Sequence, residues 1–475
     1  MNRRQDKEAL HQIMMDKITE KLNRKGKRKC ICNVNKILRQ IKGIPYPLDN
    51  SDINKIRLNL FTERNSDGTG YLVLRGNDMI QRYGRRICDD DLRAIILYVR
   101  EASRRITRLD LSYNEISDLG FARLLKRLLV KERSSINNLN IMMNGLTALS
   151  LKFLSQYATL IRLKYLRLNG NKFGTCGGGH LAQILLKNST IEFLDVGETD
   201  QNLTSVADIF AALRTDSVVY NTTVRCLDFS RIVPLFDRYN VETKWLAYHV
   251  ELLLENNSTL EELHLQKNEF LSHDIEYIIR GLRCNTTIKY LDLGYNKIGD
   301  YGAELLGNYL KGNPSLVLLN IAGNGIQDTG ARALSFGLPY SQVRALDISK
   351  NRMTDNGVID ILNTLKKFCY MRFLNIWGNK IGHNSCVIVE RMLLSGVLFQ
   401  HTIDVSLYEV DDVLYAAYYP NPADRNKHRY YCELEYGSAQ PIYNIKRNQV
   451  QEPQPLYVDC RHRQKLHKTD RNTFL

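Results

Sequence analysis

One short phrase, L-x-L-x-x-N, returns about every 28 residues along most of this chain of 475 residues. The clearest copies read LDLGYN, LNIAGN, LDISKN and LNIWGN, and the last five copies are separated by 28, 28, 27 and 28 residues. A fixed period of this length indicates a stack of repeats, because one unit has a single apolar side and must bury it against its neighbours. The first leucine of each copy sets the predicted register: Leu72, Leu109, Leu139, Leu166, Leu194, Leu227, Leu263, Leu291, Leu319, Leu346 and Leu374.

Each unit is predicted to contain a short strand, a loop and a helix. The unit is too long for a strand and an extended return, and Ala303, Leu306 and Leu310 recur at helical spacing between two phrases. The paired leucines alternate with residues of the opposite strand face, so they are expected to point inward. The asparagine turns the chain out of the strand, and its amide can satisfy backbone groups that have no ladder partner.

This pattern resembles the leucine-rich repeat of the ribonuclease-inhibitor type over roughly residues 70 to 395. The resemblance implies an α/β solenoid, a horseshoe with a parallel β-sheet on its concave face and helices on its convex face. It is specific for fold and weakly specific for function. Two units depart from the pattern, because Thr199 and Ile232 stand where asparagine is expected and the spacings there stretch to 33 and 36 residues. Such departures reflect either tolerated drift or loops on a binding side.

The repeats predict how the rest of the chain is organised. Val405 and Val413 lie in alternating runs on either side of a turn at Asp411, and RYYCELEYG offers a third run, which favours a small antiparallel cap. Four parts follow: a basic N-terminal helical arm and cap (1–70), a solenoid of about eleven units (71–400), a small β cap (401–437), and a basic tail predicted to be disordered (438–475).

The positive charge of the chain is concentrated at its two ends. Residues 1–43 contain 13 Lys and Arg against 4 Asp and Glu, and residues 425–475 contain 10 against 5, whereas the whole chain has a net charge of +15. These ends predict a basic anchor for an acidic surface, or a solvated arm on a helical cap, and specific binding of nucleic acid is disfavoured. The densest run supplies the predicted anchor residues, Arg24, Lys25, Lys27, Arg28 and Lys29.

Composition predicts a soluble intracellular protein without an active site. No run approaches the ~18–20 apolar residues that cross a bilayer, and the N-terminus lacks the apolar core of a signal peptide. We expect a cytoplasmic location, with the nucleus or a cilium as alternatives. The ten cysteines are scattered, and His264, His383 and His462 form no cluster with acids or thiols at ligand spacing. No catalytic residue, cofactor or metal is therefore predicted.

The predicted binding surface is the concave face of the sheet. The exposed positions are expected to be the residue before the first leucine, the residue between the leucines, and the two residues before the asparagine. Aromatic side chains beside carboxylates suit a protein or peptide partner with basic and apolar features. The predicted partner-binding residues are Tyr113, Tyr165, Tyr290, Asp292, Tyr295, Asp347, Phe373 and Trp377.

Two functions of different classes follow from these features. The favoured one is a non-enzymatic scaffold that binds a protein partner on the concave face and anchors through its basic ends. The alternative is a regulator of a small GTPase, because the chain resembles Ran GTPase-activating protein in repeat type and count. That family normally carries an acidic tail, whereas this tail is basic. Inhibition of a ribonuclease is disfavoured, because those inhibitors are acidic and this chain has a pI of about 9.2.

Overall fold

The computed structural model describes residues 53–102, 105–130, 134–232, 242–366, 371 and 373–419. The predicted anchor residues Arg24 to Lys29, the third alternating run and the tail lie outside these ranges. Short strands and helices alternate along the described chain, and twelve strands form one sheet in chain order from β1 to β12. Two further strands, β13 and β14, form a separate hairpin.

Most of the strands are only three residues long, whereas the helices that return the chain have six to fourteen residues. Strands β1 to β14 span Thr62–Arg64, Thr69–Val73, Arg105–Asp110, Asn138–Asn140, Tyr165–Arg167, Phe193–Asp195, Cys226–Asp228, Glu262–His264, Tyr290–Asp292, Leu318–Asn320, Ala345–Asp347, Phe373–Asn375, Val405–Val410 and Val413–Tyr418. Helices α1 to α13 span Lys55–Leu60, Gly76–Tyr83, Leu92–Glu101, Asp118–Leu124, Ala148–Gln156, Gly174–Lys187, Leu203–Ala211, Thr243–Glu255, Asp274–Cys284, Gly299–Leu310, Asp328–Gly337, Asp355–Thr364 and His383–Leu394.

The predicted register of the repeats is confirmed. The eleven marker leucines lie one to a strand from β2 to β12, and each pairs with the equivalent leucine of the next strand. These pairings are parallel, whereas β1 joins the edge of β2 in the antiparallel direction. The fold class is therefore the predicted α/β solenoid of leucine-rich repeats.

The leucines of the phrase build one continuous core. Leu319 and Ile321, the two apolar positions of one phrase, are fully buried, and the same core continues from Ile53 to Val405. Burying one such side chain stabilises the fold by about 1.5–3 kcal/mol. Packed helices stand ~8–10 Å apart and paired strands ~4.8 Å apart, so the helix layer is the longer one and the sheet lies on the concave side.

The repeated asparagine joins each coil to the one before it. The Nδ2 atom of Asn296 donates to the carbonyl of Leu265 in the preceding coil at 3.1 Å and to that of Leu293 in its own coil at 2.8 Å. Its Oδ1 atom accepts from the backbone N–H of Asn268 at 2.9 Å. A buried backbone group without a partner costs free energy, so this amide removes that cost in two coils at once.

A second polar ladder joins the helices. Asp328, in the first turn of α11, accepts from the backbone N–H of Thr354 at 2.7 Å and from that of Gly357 at 3.1 Å, where α12 begins. Asp300 and Asp355 make the equivalent bonds to the helices that follow theirs. Each of these carboxylates thus caps the positive N-terminal end of the next helix.

Both ends of the described solenoid are covered by atypical elements. At the first end, β1 pairs with β2, and the rings of Phe61 and Tyr83 lie 5.8 Å apart. At the other end, β13 and β14 form a hairpin, hereafter the cap hairpin, whose turn residues Asp411 and Asp412 both have positive φ as a two-residue turn requires. Asp404, just before the hairpin, accepts from the backbone N–H of Ile376 at 2.7 Å and so completes the last coil.

Because coils pack mainly on their immediate neighbours, an unpaired charge should cost more in the middle of the stack than at its end. We expect Leu319→Asp to lower the free energy of unfolding by several kcal/mol, since the carboxylate has no partner in the core. Leu72→Asp lies beside the first end and should cause local fraying instead. Thermal unfolding and hydrogen exchange distinguish the two effects, and identical losses in both variants would contradict the linear arrangement.

Candidate functional site

The concave face carries side chains in rows, because equivalent residues of successive strands lie side by side. We name three rows. The leading row precedes the first leucine: Tyr165, Phe193, Cys226, Glu262, Tyr290, Leu318, Ala345 and Phe373. The middle row lies between the leucines: Asp110, Asn140, Arg167, Asp195, Asp228, His264, Asp292, Asn320, Asp347 and Asn375. The ridge immediately precedes the asparagine position: Tyr113, Met143, Gly170, Glu198, Arg231, Lys267, Tyr295, Gly323, Lys350 and Gly378.

The middle row is largely buried, which corrects the prediction that it is exposed. Asp292 and Asp347 retain only 6% and 7% of their accessible surface. The Oδ1 atom of Asp347 accepts from the backbone N–H of Ser349 at 3.1 Å, and that of Asp292 accepts from Gly294 at 3.0 Å. The same bond to the residue two positions later recurs along the row at Asp110, Asn140, Asp195, Asp228 and Asn320. These short side chains therefore fasten the strand ends, as Asx turns do.

The leading row is mostly buried, and its three half-buried members are the aromatic residues Tyr165, Tyr290 and Phe373. Tyr165 stacks on Phe193 with ring centroids 6.0 Å apart, and Tyr290 and Phe373 are half-buried further along. Burial, reinforced by the carboxylates of Glu262 and Glu261, raises the pKa of Tyr290 to about 12. Its hydroxyl is protonated at physiological pH, as that of an ordinary tyrosine is, and can act as a hydrogen-bond donor.

The ridge is held in an unusual backbone conformation. All ten of its residues have positive φ, from 45° at Arg231 to 85° at Gly378. Residues with a Cβ resist this region at about 1–2 kcal/mol each. The larger side chains of the ridge have space because glycine occupies the ridge position of the next coil. A Cβ at Gly323 would lie 2.7 Å from the ring of Tyr295, and one at Gly170 would lie 2.4 Å from the sulfur of Met143.

Tyr295 is an exposed aromatic residue of the ridge that two lysines contact. The Nζ atoms of Lys267 and Lys350 each lie 5.5 Å from its ring centroid, and Lys350 donates to its hydroxyl at 3.0 Å. Cation–π contacts of this kind contribute about 0.5–1 kcal/mol each at exposed sites. Tyr295 itself keeps 39% of its surface exposed. We call Lys267, Tyr295 and Lys350 the lysine–tyrosine cluster.

The structure separates the other predicted binding residues. Trp377 is half-buried, and its ring lies 5.8 Å from that of Tyr418 in the cap hairpin, so it supports the end of the solenoid. Tyr113 is 37% exposed on the ridge, but it follows the third strand and lies far along the stack from Tyr295. Tyr290, Tyr295 and Phe373 occupy the same C-terminal half of the concave face.

One group of functional side chains was missed by the sequence analysis. The Nε2 atom of His264 lies 2.7 Å from Oε1 of Glu262, and its Nδ1 atom lies 3.2 Å from Oδ2 of Asp292. The ligand atoms of Cys226, Glu262 and His264 all lie within 4.8 Å of one another. The prediction that His264 has no acid or thiol nearby is therefore wrong. Cys226 is 36 residues from Glu262 in sequence and adjacent to it in register, so aligning the repeats column by column reveals the group.

The electrostatics of this Cys–Glu–His cluster are unusual for a protein core. Burial opposes protonation of His264, yet its hydrogen bonds with Asp292, Cys226 and Glu262 raise the pKa of the imidazole well above its ordinary value. Burial raises the pKa of the Cys226 thiol well above its usual range and that of Asp228 to about 7. Burial, followed by the nearby charge of Asp228, also raises the pKa of Asp195 well above its ordinary value.

These features define a leucine-rich-repeat protein. A family profile described as Leucine Rich repeat matches residues 102–124, 284–307, 312–335 and 343–362. The chain is similar to leucine-rich repeat-containing protein 34 of Mus musculus, with 29% identity over 97 residues, which is 20% of this chain and 23% of that protein. The protein of the same name from Rattus norvegicus is 28% identical over equal shares. The aligned segment thus spans less than a quarter of these relatives.

The solved structures to which this chain is similar have low sequence identity to it. An internalin (inlF) of Listeria monocytogenes is 15% identical, covering 73% of this chain and 89% of its own at a TM-score of 0.34. The Rad7 and Elc1 complex of yeast includes a chain that is 12% identical, covering 80% and 90% at a TM-score of 0.41. LegL7 of Legionella pneumophila is 17% identical, covering 57% and 92% at a TM-score of 0.37. Within the described ranges, no helix is long and apolar enough to span a membrane.

The buried middle row should contribute to stability. We expect Asp347→Ala to lower the free energy of unfolding by about 1–3 kcal/mol, because it leaves the backbone N–H of Ser349 buried without its acceptor. Asp347→Asn retains an acceptor oxygen, so its free energy of unfolding should fall much less. Urea unfolding of the two variants measures the difference. An alanine variant as stable as the wild type would mean that the middle row is not structural.

Proposed function

We propose that this chain is a non-enzymatic interaction scaffold that holds a partner protein against the C-terminal half of its concave face. Proteins of the leucine-rich-repeat class generally serve as interaction scaffolds. Support for the location comes from the lysine–tyrosine cluster, which leaves a preorganised aromatic ring exposed in the same half of the concave face as the half-buried Tyr290 and Phe373. A rigid, partly exposed aromatic ring has the properties of an interface anchor.

The charges around the anchor favour a partner segment with acidic and apolar side chains. The carboxylates of Asp292 and Asp347, taken from the sequence as partners for basic groups, are buried and bonded within the protein. The groups that flank Tyr295 at the surface are the ammonium groups of Lys267 and Lys350. Complementary charge therefore points to an acidic partner rather than a basic one.

Tyr295→Ala should weaken partner binding about tenfold or more, because truncating an aromatic anchor typically costs about 2 kcal/mol. The melting temperature should change little, since the ring is partly exposed. Tyr340→Ala is the matched control, because Tyr340 is 66% exposed and lies after helix α11, away from the strand rows. The measurement is the dissociation constant of a partner identified by proximity labelling of the full chain.

A displayed peptide library tests the chemistry of the partner even while its identity is open. Selection on the full chain should enrich peptides that combine Asp or Glu with apolar residues, and Lys350→Glu should abolish that enrichment. Enrichment of Lys-rich peptides, or equal binding by Tyr295→Ala and the wild type, would contradict the proposed surface.

The basic ends are proposed to add a salt-sensitive attraction to an acidic surface. Exposed charges act over a Debye length of about 8 Å at physiological ionic strength. Removing residues 1–29 should therefore reduce the salt dependence of binding and leave the part that depends on Tyr295 intact. Affinity that survived Tyr295→Ala but was lost with residues 1–29 would assign binding to the basic end instead of the concave face.

A further inference from the structure

Strands β7 and β8 place four ligand-type side chains in a square on the concave face. Cys226 and Asp228 lie on β7, Glu262 and His264 lie on β8, and the register sets Cys226 beside Glu262 and Asp228 beside His264. Residues two apart on a strand point to the same face, and neighbouring strands are ~4.8 Å apart. The repeat geometry therefore brings all four side chains to one place, although they come from two different coils.

The spacing of these atoms fits a small metal ion. The ligand atoms of Cys226, Glu262 and His264 lie within 4.8 Å of one another, and all three residues are buried. With metal–ligand bonds of about 2.0–2.3 Å, the ligand atoms around a tetrahedral ion stand roughly 3.3–3.8 Å apart. The present 2.7 Å between Nε2 of His264 and Oε1 of Glu262 must widen slightly, which a small side-chain rotation achieves.

Asp228 pairs in register with His264 and is a candidate for the fourth ligand, although it is not one of the three residues whose ligand atoms lie within 4.8 Å of one another. Asp228 is fully buried, and its Oδ1 atom accepts from the backbone N–H of Ser230 at 2.9 Å. Its Oδ2 atom has no hydrogen-bond partner among the described residues. Leaving a carboxylate oxygen buried and unbonded is costly, and a bound cation removes that cost.

The orientation of His264 matches that of a metal ligand with a supporting carboxylate. Its Nδ1 atom lies 3.2 Å from Oδ2 of Asp292, which leaves Nε2 directed toward Glu262. Metal-binding histidines almost always donate their second ring N–H to a carboxylate or carbonyl group in this way. Asp292 is itself held by the backbone N–H of Gly294 at 3.0 Å and by the side-chain amide of Gln266.

Several acidic side chains are buried in this part of the sheet. Arg167 and His264 are the basic side chains of the middle row in this part of the sheet. The buried carboxylates there are those of Asp195, Asp228, Glu262 and Asp292. A mixed set of sulfur, nitrogen and oxygen ligands suits zinc, whereas calcium and magnesium prefer oxygen alone.

We propose that Cys226, Asp228, Glu262 and His264 bind one zinc ion, with Asp292 as the positioning residue for His264. Four protein ligands leave no open coordination position, so the site is structural. Binding of zinc by the thiolate releases the proton of the Cys226 thiol to solvent. The ion joins β7 to β8 across one of the two longest intervals between marker leucines, the 36 residues from Leu227 to Leu263.

Metal titration of the full-length chain tests this site. The protein is stripped with a chelator, kept in a reductant without thiols, and titrated with Zn²⁺ or Co²⁺. Cys226→Ser should weaken the tightest site by more than about 100-fold, beyond the 10–100-fold typical of an outer-shell change, and should abolish the thiolate-to-cobalt charge-transfer band. Cys386→Ser, which changes another buried cysteine, should leave affinity and band unchanged.

Two further measurements separate ligation from folding. Asp292→Asn retains the acceptor for Gly294 and should weaken Zn²⁺ by about 10–100-fold while the thiolate band persists. X-ray absorption of the zinc-loaded wild type should show one sulfur and three nitrogen or oxygen neighbours, whatever the stability of the variants. Absence of sulfur, two or more sulfur neighbours, or an unchanged band in Cys226→Ser would overturn the proposal.

Discussion

The structure depends on the fact that no coil is complete without its neighbour. The strand leucines become buried only when the next coil covers them, and the asparagine amide bonds to the carbonyl groups of two coils at once, as Asn296 does. The carboxylates at the helix starts repeat this coupling on the convex side, as Asp328 does for α12. Stability therefore accumulates from nearest-neighbour contacts, and the ends require atypical covers such as the cap hairpin.

The same coupling decides which side chains remain for binding. Neighbouring strands stand so close that the short side chains of the middle row are covered and used to fasten the strand ends. Some larger side chains of the leading row and the ridge, such as Tyr290 and Tyr295, extend beyond this layer. The glycine at 323 then allows Tyr295 to lie along the ridge between two lysines. Exposure on this face thus depends on how far the neighbouring coils cover each side chain, and not on strand alternation alone.

The sequence predicted the fold well because its signal is local and periodic. Each marker leucine could be placed by counting, and all eleven pair as predicted, from Leu72 to Leu374. The site was harder to predict, because alternation along one strand does not reveal how far the neighbouring strand covers Asp292. Positive φ at Lys350 carries no sequence signal of its own, since a lysine there looks like any loop residue. Contacts across coils, such as that between Cys226 and Glu262, require the register first.

The two coils that lack the repeated asparagine border the most polar part of the core. The hydroxyl of Thr199 makes a bond to Val196 within its own coil at 2.7 Å, and Ile232 offers no side-chain bond at all. The strands beside these positions carry buried carboxylates. Replacing such groups with apolar residues of similar size often costs little stability or increases it. Here the ladder of asparagine amides is interrupted, and buried ionisable side chains stand in the same coils. A bound cation would join those coils in place of the missing amides. The irregular spacing and the buried ligand set are therefore best understood as one feature.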